Sequence, residues 1–128
     1  MHIMSLYEKF RSEGYNFFVG VPCSHLQPFL DDMAKEGLHT FIPANKEDVA
    51  LALASGAYMA GKKPLVYLQN SGLGHVVNLI TSLLKPYQFS VHLLISLRKQ
   101  PFEHEFMGKI TRELLRILEY ENHVTIIE

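Results

Sequence analysis

The sequence predicts an α/β domain built as a doubly wound parallel sheet with helices on both faces. Three observations carry that prediction. Short runs of strand formers alternate with stretches whose apolar residues recur at helical spacing. The run Leu65-Val66-Tyr67-Leu68 is apolar without a break, as expected of a strand covered on both sides. Gly14, Gly37 and Gly61 fall where one element must stop before the next begins.

Leu6 and Phe10 share one face of a first helix that Gly14 ends, and residues 16–19 read as the first strand. Gly20-Val21-Pro22 is the following turn. Ser24 is placed to cap a second helix carrying Leu26, Phe29, Leu30 and Met33 inward, closed by Gly37 before a strand over 39–42. Asn45 offers the next cap, residues 49–60 form an alanine-rich helix, and Gly61-Lys62-Lys63-Pro64 turns the chain into the central strand. A helix from about 74 to 84, a strand over 91–97, a helix from about 109 to 118 and a last strand over 123–127 complete the alternation.

A chain of 128 residues fits a single domain, 1–128, with room for one proper core. The net charge of −1 and scattered Lys and Arg form no basic face, which argues against nucleic acid and anionic membrane as partners. The first residues lack a basic segment followed by an apolar run, and no window approaches the ~20 apolar residues of a membrane span, so a cytoplasmic protein is expected. The lone cysteine, Cys23, excludes an internal disulfide and a multi-cysteine metal site, as suits a reducing compartment.

Ala50, Ala52, Ala54, Ala57 and Ala60 leave little bulk on the alanine-rich helix, so another helix or backbone packs close to it, inside the domain or across a subunit interface. Lys46, Glu47 and Asp48 stand at its first turn. Acids there complement the helix dipole by about 0.3–1 kcal/mol, which is one sufficient reason for them. The central strand runs into Gln69-Asn70-Ser71-Gly72-Leu73-Gly74, a glycine turn at a strand's carboxyl end, where ligands collect in open parallel sheets. A dinucleotide loop would want glycine at position 77, which is Val77, and the Gly-Lys-Ser/Thr of a P-loop is absent. His104-Glu105-Phe106-Met107-Gly108 misses the zinc-protease motif because its second histidine is Gly108, so no metal site is expected there.

The segments Gly20-Val21-Pro22-Cys23-Ser24, Ala44-Asn45-Lys46-Glu47-Asp48, Ala52-Leu53-Ala54-Ser55-Gly56 and Tyr67-Leu68-Gln69-Asn70-Ser71-Gly72-Leu73-Gly74 resemble the pyrimidine-binding domain of thiamine diphosphate enzymes. The phosphonopyruvate and sulfopyruvate decarboxylases are the nearest in pattern, and His104 with Met107-Gly108-Lys109-Ile110-Thr111 continues the likeness. The resemblance implies that Glu47 activates the cofactor. A carboxyl in an apolar pocket can share a proton with the pyrimidine nitrogen opposite the amino group, so that the cofactor's own aminopyrimidine becomes the base. It also implies that Gln69, Asn70, Ser71, Gly72, Leu73 and Gly74 lie against that ring, their glycines leaving room and their carbonyls accepting from the amino group.

By the same likeness Pro22, Cys23 and Ser24 face the thiazolium side, where the 2-oxo acid becomes attached. Phosphonopyruvate enzymes tend to carry aspartate where Cys23 stands, and cysteine is similar to the sulfopyruvate enzymes, which leaves the head group open. His75 replaces a usual asparagine after the second glycine. His104 is implied at the mouth of the site, pairing with an anionic group or relaying a proton, with Arg98 just upstream on a stretch shorter than in relatives.

Thiamine enzymes hold the diphosphate through Mg²⁺ bound by a Gly-Asp-Gly segment and a later asparagine, and this sequence has no Gly-Asp-Gly. The resemblance therefore implies the alpha chain of a split decarboxylase. A beta subunit supplies the diphosphate-binding half, active sites lie at the interfaces of a hetero-oligomer, and a small anionic 2-oxo acid is the substrate. Two other classes fit the same residues: a binding or regulatory module without catalysis, and a thiamine-dependent carboligase subunit.

Overall fold

The computed structural model describes residues 3–37 and 41–128. Five parallel strands lie among them: β1 (Phe17–Gly20), β2 (Phe41–Pro43), β3 (Pro64–Gln69), β4 (His92–Ser96) and β5 (Val124–Ile127). Their order is β2-β1-β3-β4-β5, so the chain leaves β1 in one direction, then crosses back and adds strands in the other. The reversal between β1 and β3 is the topological switch of a doubly wound sheet, where the connections diverge and open a crevice at the carboxyl edge. The expected fold class is the observed one.

Right-handed crossovers send the helices to opposite faces on either side of that switch. One face carries α1 (Leu6–Ser12) and α2 (Gln27–Ala34) over an aromatic core in which Tyr7, Phe10 and Phe29 meet Phe18, Leu65, Tyr67 and Leu94. The other carries α3 (Glu47–Met59) and α6 (Phe102–Ile117). A continuous helical run lies beside them: a 3₁₀ segment (Asn70–Val76), α4 (Val77–Leu79), a π stretch (Ile80–Leu84) and α5 (Lys85–Tyr87). Its core is aliphatic, with Val19, Val66, Leu68, Leu93 and Ile95 of the sheet against Leu51, Leu73, Ile80 and Leu115. Leu65, Val66, Tyr67 and Leu68 are all fully buried, alternating between the two cores, which is why β3 is apolar throughout. Each such side chain contributes about 1.5–3 kcal/mol of transfer free energy.

Several boundaries differ from the sequence expectation, each for a physical reason. The helix expected from 74 begins as a 3₁₀ turn at Asn70 and runs to Tyr87, because Pro86 lacks the N–H for a regular α bond and the helix widens to π spacing just before it. It stops at Gln88, in the left-handed conformation at φ 56°. The last long helix starts at Phe102 and not near 109. Gly108 lies inside it because the Arg98–Lys99 backbone crosses there: an added Cβ would meet Arg98 O and Lys99 Cα, each at 3.0 Å. Ser24 and Asn45 do not cap helices. Residues 24–26 form a short 3₁₀ turn ahead of α2, and Lys46 holds the cap position of α3 with no side-chain bond. The strand expected over 39–42 is observed as Phe41–Pro43; residues 39 and 40 lie outside the described ones.

Candidate functional site

The carboxyl edge of the sheet gathers most of the singled-out residues. β1 ends at Gly20 and passes through Pro22, Cys23 and Ser24, of which Pro22 and Ser24 are exposed and Cys23 is half-buried. Val21 N–H donates to Tyr67 O at 3.1 Å and Ala44 N–H to Gly20 O at 2.8 Å, tying the ends of β1, β2 and β3 together. From that tie α3 departs with Glu47 as its first residue.

Glu47 does not point along its own helix end as a dipole partner alone. Its carboxyl lies on the α-carbon of Gly72, and a Cβ there would overlap Glu47 Cγ, Cδ and Oε2. Asp48 turns away instead, exposed, with Oδ1 accepting the Val49 N–H at 2.9 Å. Of the two neighbouring acids, only Glu47 is brought to the glycine segment after β3.

That segment is a 3₁₀ helix, not an open loop. Gly72 is buried beneath Glu47, whereas Gly74 is exposed with nothing within 4 Å of the place a Cβ would take. Leu73 is fully buried in the aliphatic core, so only its backbone can face a guest. Gln69 Nε2 donates to Ser71 Oγ at 2.8 Å, which leaves the Gln69 carbonyl oxygen of the side chain and an exposed hydroxyl at the rim.

Asn70 behaves differently from its neighbours. Its side chain is 1% exposed and turned into the fold, where Oδ1 accepts Arg98 N–H at 2.8 Å and Nδ2 donates to Arg98 O at 3.1 Å and Thr111 Oγ1 at 3.0 Å. Thr111 Oγ1 in turn donates to Met107 O at 2.6 Å. Asn70 is spent on joining β3, the end of β4 and α6, which leaves its main chain as the part available to a ligand. Thr111 closes the segment 107–111 that carries the family likeness, but the sequence assigns it no role, since a threonine in an amphipathic helix carries no local signal.

Arg98 is half-buried and lines a cavity of about 700 Å³ with His25, Lys99, Gln100, Glu105 and Glu128. Its Nε–H is buried and finds no acceptor among the described residues. Lys99, by contrast, is paired with the Glu128 carboxylate at 2.6 Å, and that ammonium holds the carboxyl below its usual range. His104 sits in the first turn of α6, half-buried, its N–H donating to Pro101 O at 2.8 Å. His75 lies elsewhere: it is exposed and lines a depression of about 450 Å³ between α3 and α4 with Asp48, Val49, Ala52, Asn78 and Leu79. Among the described residues no three His, Cys, Asp or Glu side chains gather to hold a metal ion, and no described helix is long and apolar enough to cross a membrane.

A doubly wound sheet with a glutamate at one helix start, set on a bare glycine beyond the central strand, matches a known family over most of its length. The profile described as thiamine pyrophosphate enzyme, N-terminal TPP binding domain, matches residues 4–114, and the chain belongs to that family. It is 35% identical over 121 residues to the sulfopyruvate decarboxylase subunit alpha of Methanothermobacter thermautotrophicus, covering 90% of this chain and 72% of that one. The protein of the same name from Methanocaldococcus jannaschii is 33% identical over 120 residues, with 91% and 71% covered. A phosphonopyruvate decarboxylase of Streptomyces viridochromogenes is 34% identical over 113 residues, which are 84% of this chain and 28% of that protein.

Proposed function

We propose that the chain is the alpha subunit of a split thiamine diphosphate-dependent decarboxylase acting on a small anionic 2-oxo acid, sulfopyruvate or phosphonopyruvate. The single observation that carries this reading is the Glu47 carboxyl held on Gly72 at the carboxyl edge of the sheet. The residues suit an aminopyrimidine: the Glu47 carboxyl, packed on Gly72, presents a donor beside the 69–74 backbone, and Gly74 has open space where a side chain would stand. When bound, thiamine diphosphate supplies the thiazolium carbon that attacks the 2-oxo group and the electron sink that releases CO₂.

This chain's part is to bind and to hold a proton. Glu47 keeps a proton between its carboxyl and the ring nitrogen opposite the amino group, and a site closed from water strengthens that bond. The carbonyls of 69–74 accept from the amino group and fix the ring's face. Pro22, Cys23 and Ser24 border the substrate side, and Arg98, on the cavity it lines with His25, meets the anionic end; His104, in the first turn of α6, is the second residue assigned to that end.

A second chain is supported by the relatives' name, subunit alpha, and by an exposed apolar face on α3. Val49 is 42% and Leu53 45% exposed there, flanked by exposed Ala52 and Gly56, on the helix that begins with Glu47. A partner seated on that face would close the site from the Glu47 side. We assign to it the Gly-Asp-Gly segment, the diphosphate and Mg²⁺.

The test combines this chain with a candidate beta chain carrying Gly-Asp-Gly, thiamine diphosphate and Mg²⁺, and follows CO₂ release from sulfopyruvate and phosphonopyruvate. Each chain alone should be inert and the mixture active. Glu47→Gln should abolish turnover with the circular dichroism unchanged; near-normal rates in that variant would overturn the role of the carboxyl. Product analysis separates an aldehyde-releasing decarboxylase from a carboligase.

A further inference from the structure

Arg98 lies two residues beyond the end of β4, in a segment with no secondary structure of its own, yet its backbone is pinned at both polar atoms by one side chain. Asn70 Oδ1 accepts its N–H and Asn70 Nδ2 donates to its C=O, a two-point clamp that fixes the orientation of the backbone as well as its position. The second amide hydrogen of Asn70 goes to Thr111, whose own hydrogen goes to Met107 O, so the clamp is braced against α6. Gly108, one turn from Thr111's neighbours, lets the 98–99 backbone lie directly on that helix. Together these bonds fix the backbone from which the Arg98 side chain extends.

That cation is under-used within the chain. Among the described residues its buried Nε–H finds no acceptor and no carboxylate pairs with it; of the two acids that line the same cavity, Glu128 is held by Lys99 and Glu105 makes no ion pair with Arg98. A buried guanidinium donor left unmet is costly, and its natural complement is an oxyanion delivered from outside. The cavity that Arg98 lines is large enough to admit one.

We propose that Asn70 and Thr111 are positioning residues, which hold Arg98 to receive the anionic head group of the 2-oxo acid. This rests on the reading of the chain as a subunit of a 2-oxo acid decarboxylase. It gives Asn70 a role different from contact with the cofactor ring: its side chain acts on substrate affinity through Arg98. Misplacing a clamp by about 1 Å can cost up to about 100-fold, so loss of the brace has a readable effect.

The experiment uses the assembled two-chain enzyme. Sulfopyruvate, with its sulfonate, is compared with pyruvate, whose head is an uncharged methyl. Arg98→Gln should raise KM for sulfopyruvate at least tenfold and leave KM for pyruvate within about twofold. Thr111→Val should raise KM for sulfopyruvate several-fold, with a smaller change in kcat, and Thr111→Ser should restore it. Asn70→Ala should do the same as Thr111→Val and add nothing in the Arg98→Gln background, since coupled residues fail to add. Calorimetric titration with 3-sulfopropanoate, which lacks the oxo group, should show the same losses without turnover. If Arg98→Gln leaves both KM values unchanged, Arg98 is not the anion contact and the proposal falls with that assignment. If Arg98→Gln acts as expected but Thr111→Val is silent, or the Asn70→Ala effect adds in full, only the positioning role is overturned. Should Asn70→Ala fail to fold, the Thr111 pair and the titration decide alone.

Discussion

The carboxyl of Glu47 rests on the bare α-carbon of Gly72, so closely that any side chain at position 72 must displace it. Backbone conformation does not demand glycine there; the neighbouring acid does. Gly72→Ala should therefore push the flexible Glu47 side chain aside at a cost of about 1 kcal/mol or less, and lower activity of the assembled enzyme at least tenfold. Shortening the acid relieves the overlap, so Glu47→Ala with Gly72→Ala should be less destabilised than the sum of the two. Urea unfolding of the four proteins checks this.

Gly74 provides the contrasting case. An added methyl meets nothing within 4 Å, so Gly74→Ala should leave unfolding free energy within about 0.5 kcal/mol of the parent. If the ring of the cofactor lies across this segment, the same methyl should still weaken thiamine diphosphate binding to the assembled enzyme, read by fluorescence titration.

The exposed face of α3 makes a prediction about assembly. Leu53→Glu puts a charge among Val49, Ala52 and Gly56 without touching either core. The isolated chain should keep its thermal midpoint, while co-purification with the beta chain should be lost; retained assembly would move the interface elsewhere.

His92 contributes to acid sensitivity. It stands at the amino end of β4 with Nε2 2.7 Å from Thr125 Oγ1 and its ring packed on Phe10 and Tyr15. Burial first, then His123 and more weakly Lys63, against an opposing pull from Glu13, bring its pKa down from 6.5 to about 4. The folded state holds this ring neutral, so its contribution is present above about pH 6.5 and fades as pH falls toward 4. The loss is at most about 3 kcal/mol, and smaller once the screening of a partly exposed ring is allowed for. Urea midpoints between pH 7 and pH 4 should decline, and His92→Gln should flatten that decline.

Tyr120 closes the aliphatic core at the far end of α6. Its buried hydroxyl donates to Val91 O, and burial pushes it up to about 12. Tyr120→Phe strands that carbonyl and should cost about 1–2 kcal/mol in urea unfolding with no effect on turnover.

The sheet and its helices could be read from the sequence because both rest on local periodicity: Leu65 to Leu68 are apolar since both faces of β3 are covered, and Phe29, Leu30 and Met33 recur as α2 turns. What escaped was either long-range or chemically ambiguous. The Asn70 to Thr111 bond joins residues 41 positions apart, and neither type announces its partner. Gly108 marks a close approach of the Arg98–Lys99 backbone inside α6, a helix that the sequence reading started only after it. Ser24 and Asn45 carry good capping chemistry and cap nothing, whereas Ser5 with Glu8 forms a full capping box on α1 that the apolar spacing of that helix did not reveal. At the site, the pairing of Glu47 with Gly72 could be approached only through family likeness, since they lie 25 positions apart across a helix, a turn and a strand.

β3 passes into coiled backbone at Asn70 with no slack segment between, and Asn70 itself is bolted to two other elements. A flat guest arriving at that wall finds its shape already set, so little chain freedom is forfeited on capture. The temperature dependence of cofactor uptake should then report the closing of the second chain over the wall, since the wall itself has nothing left to fold.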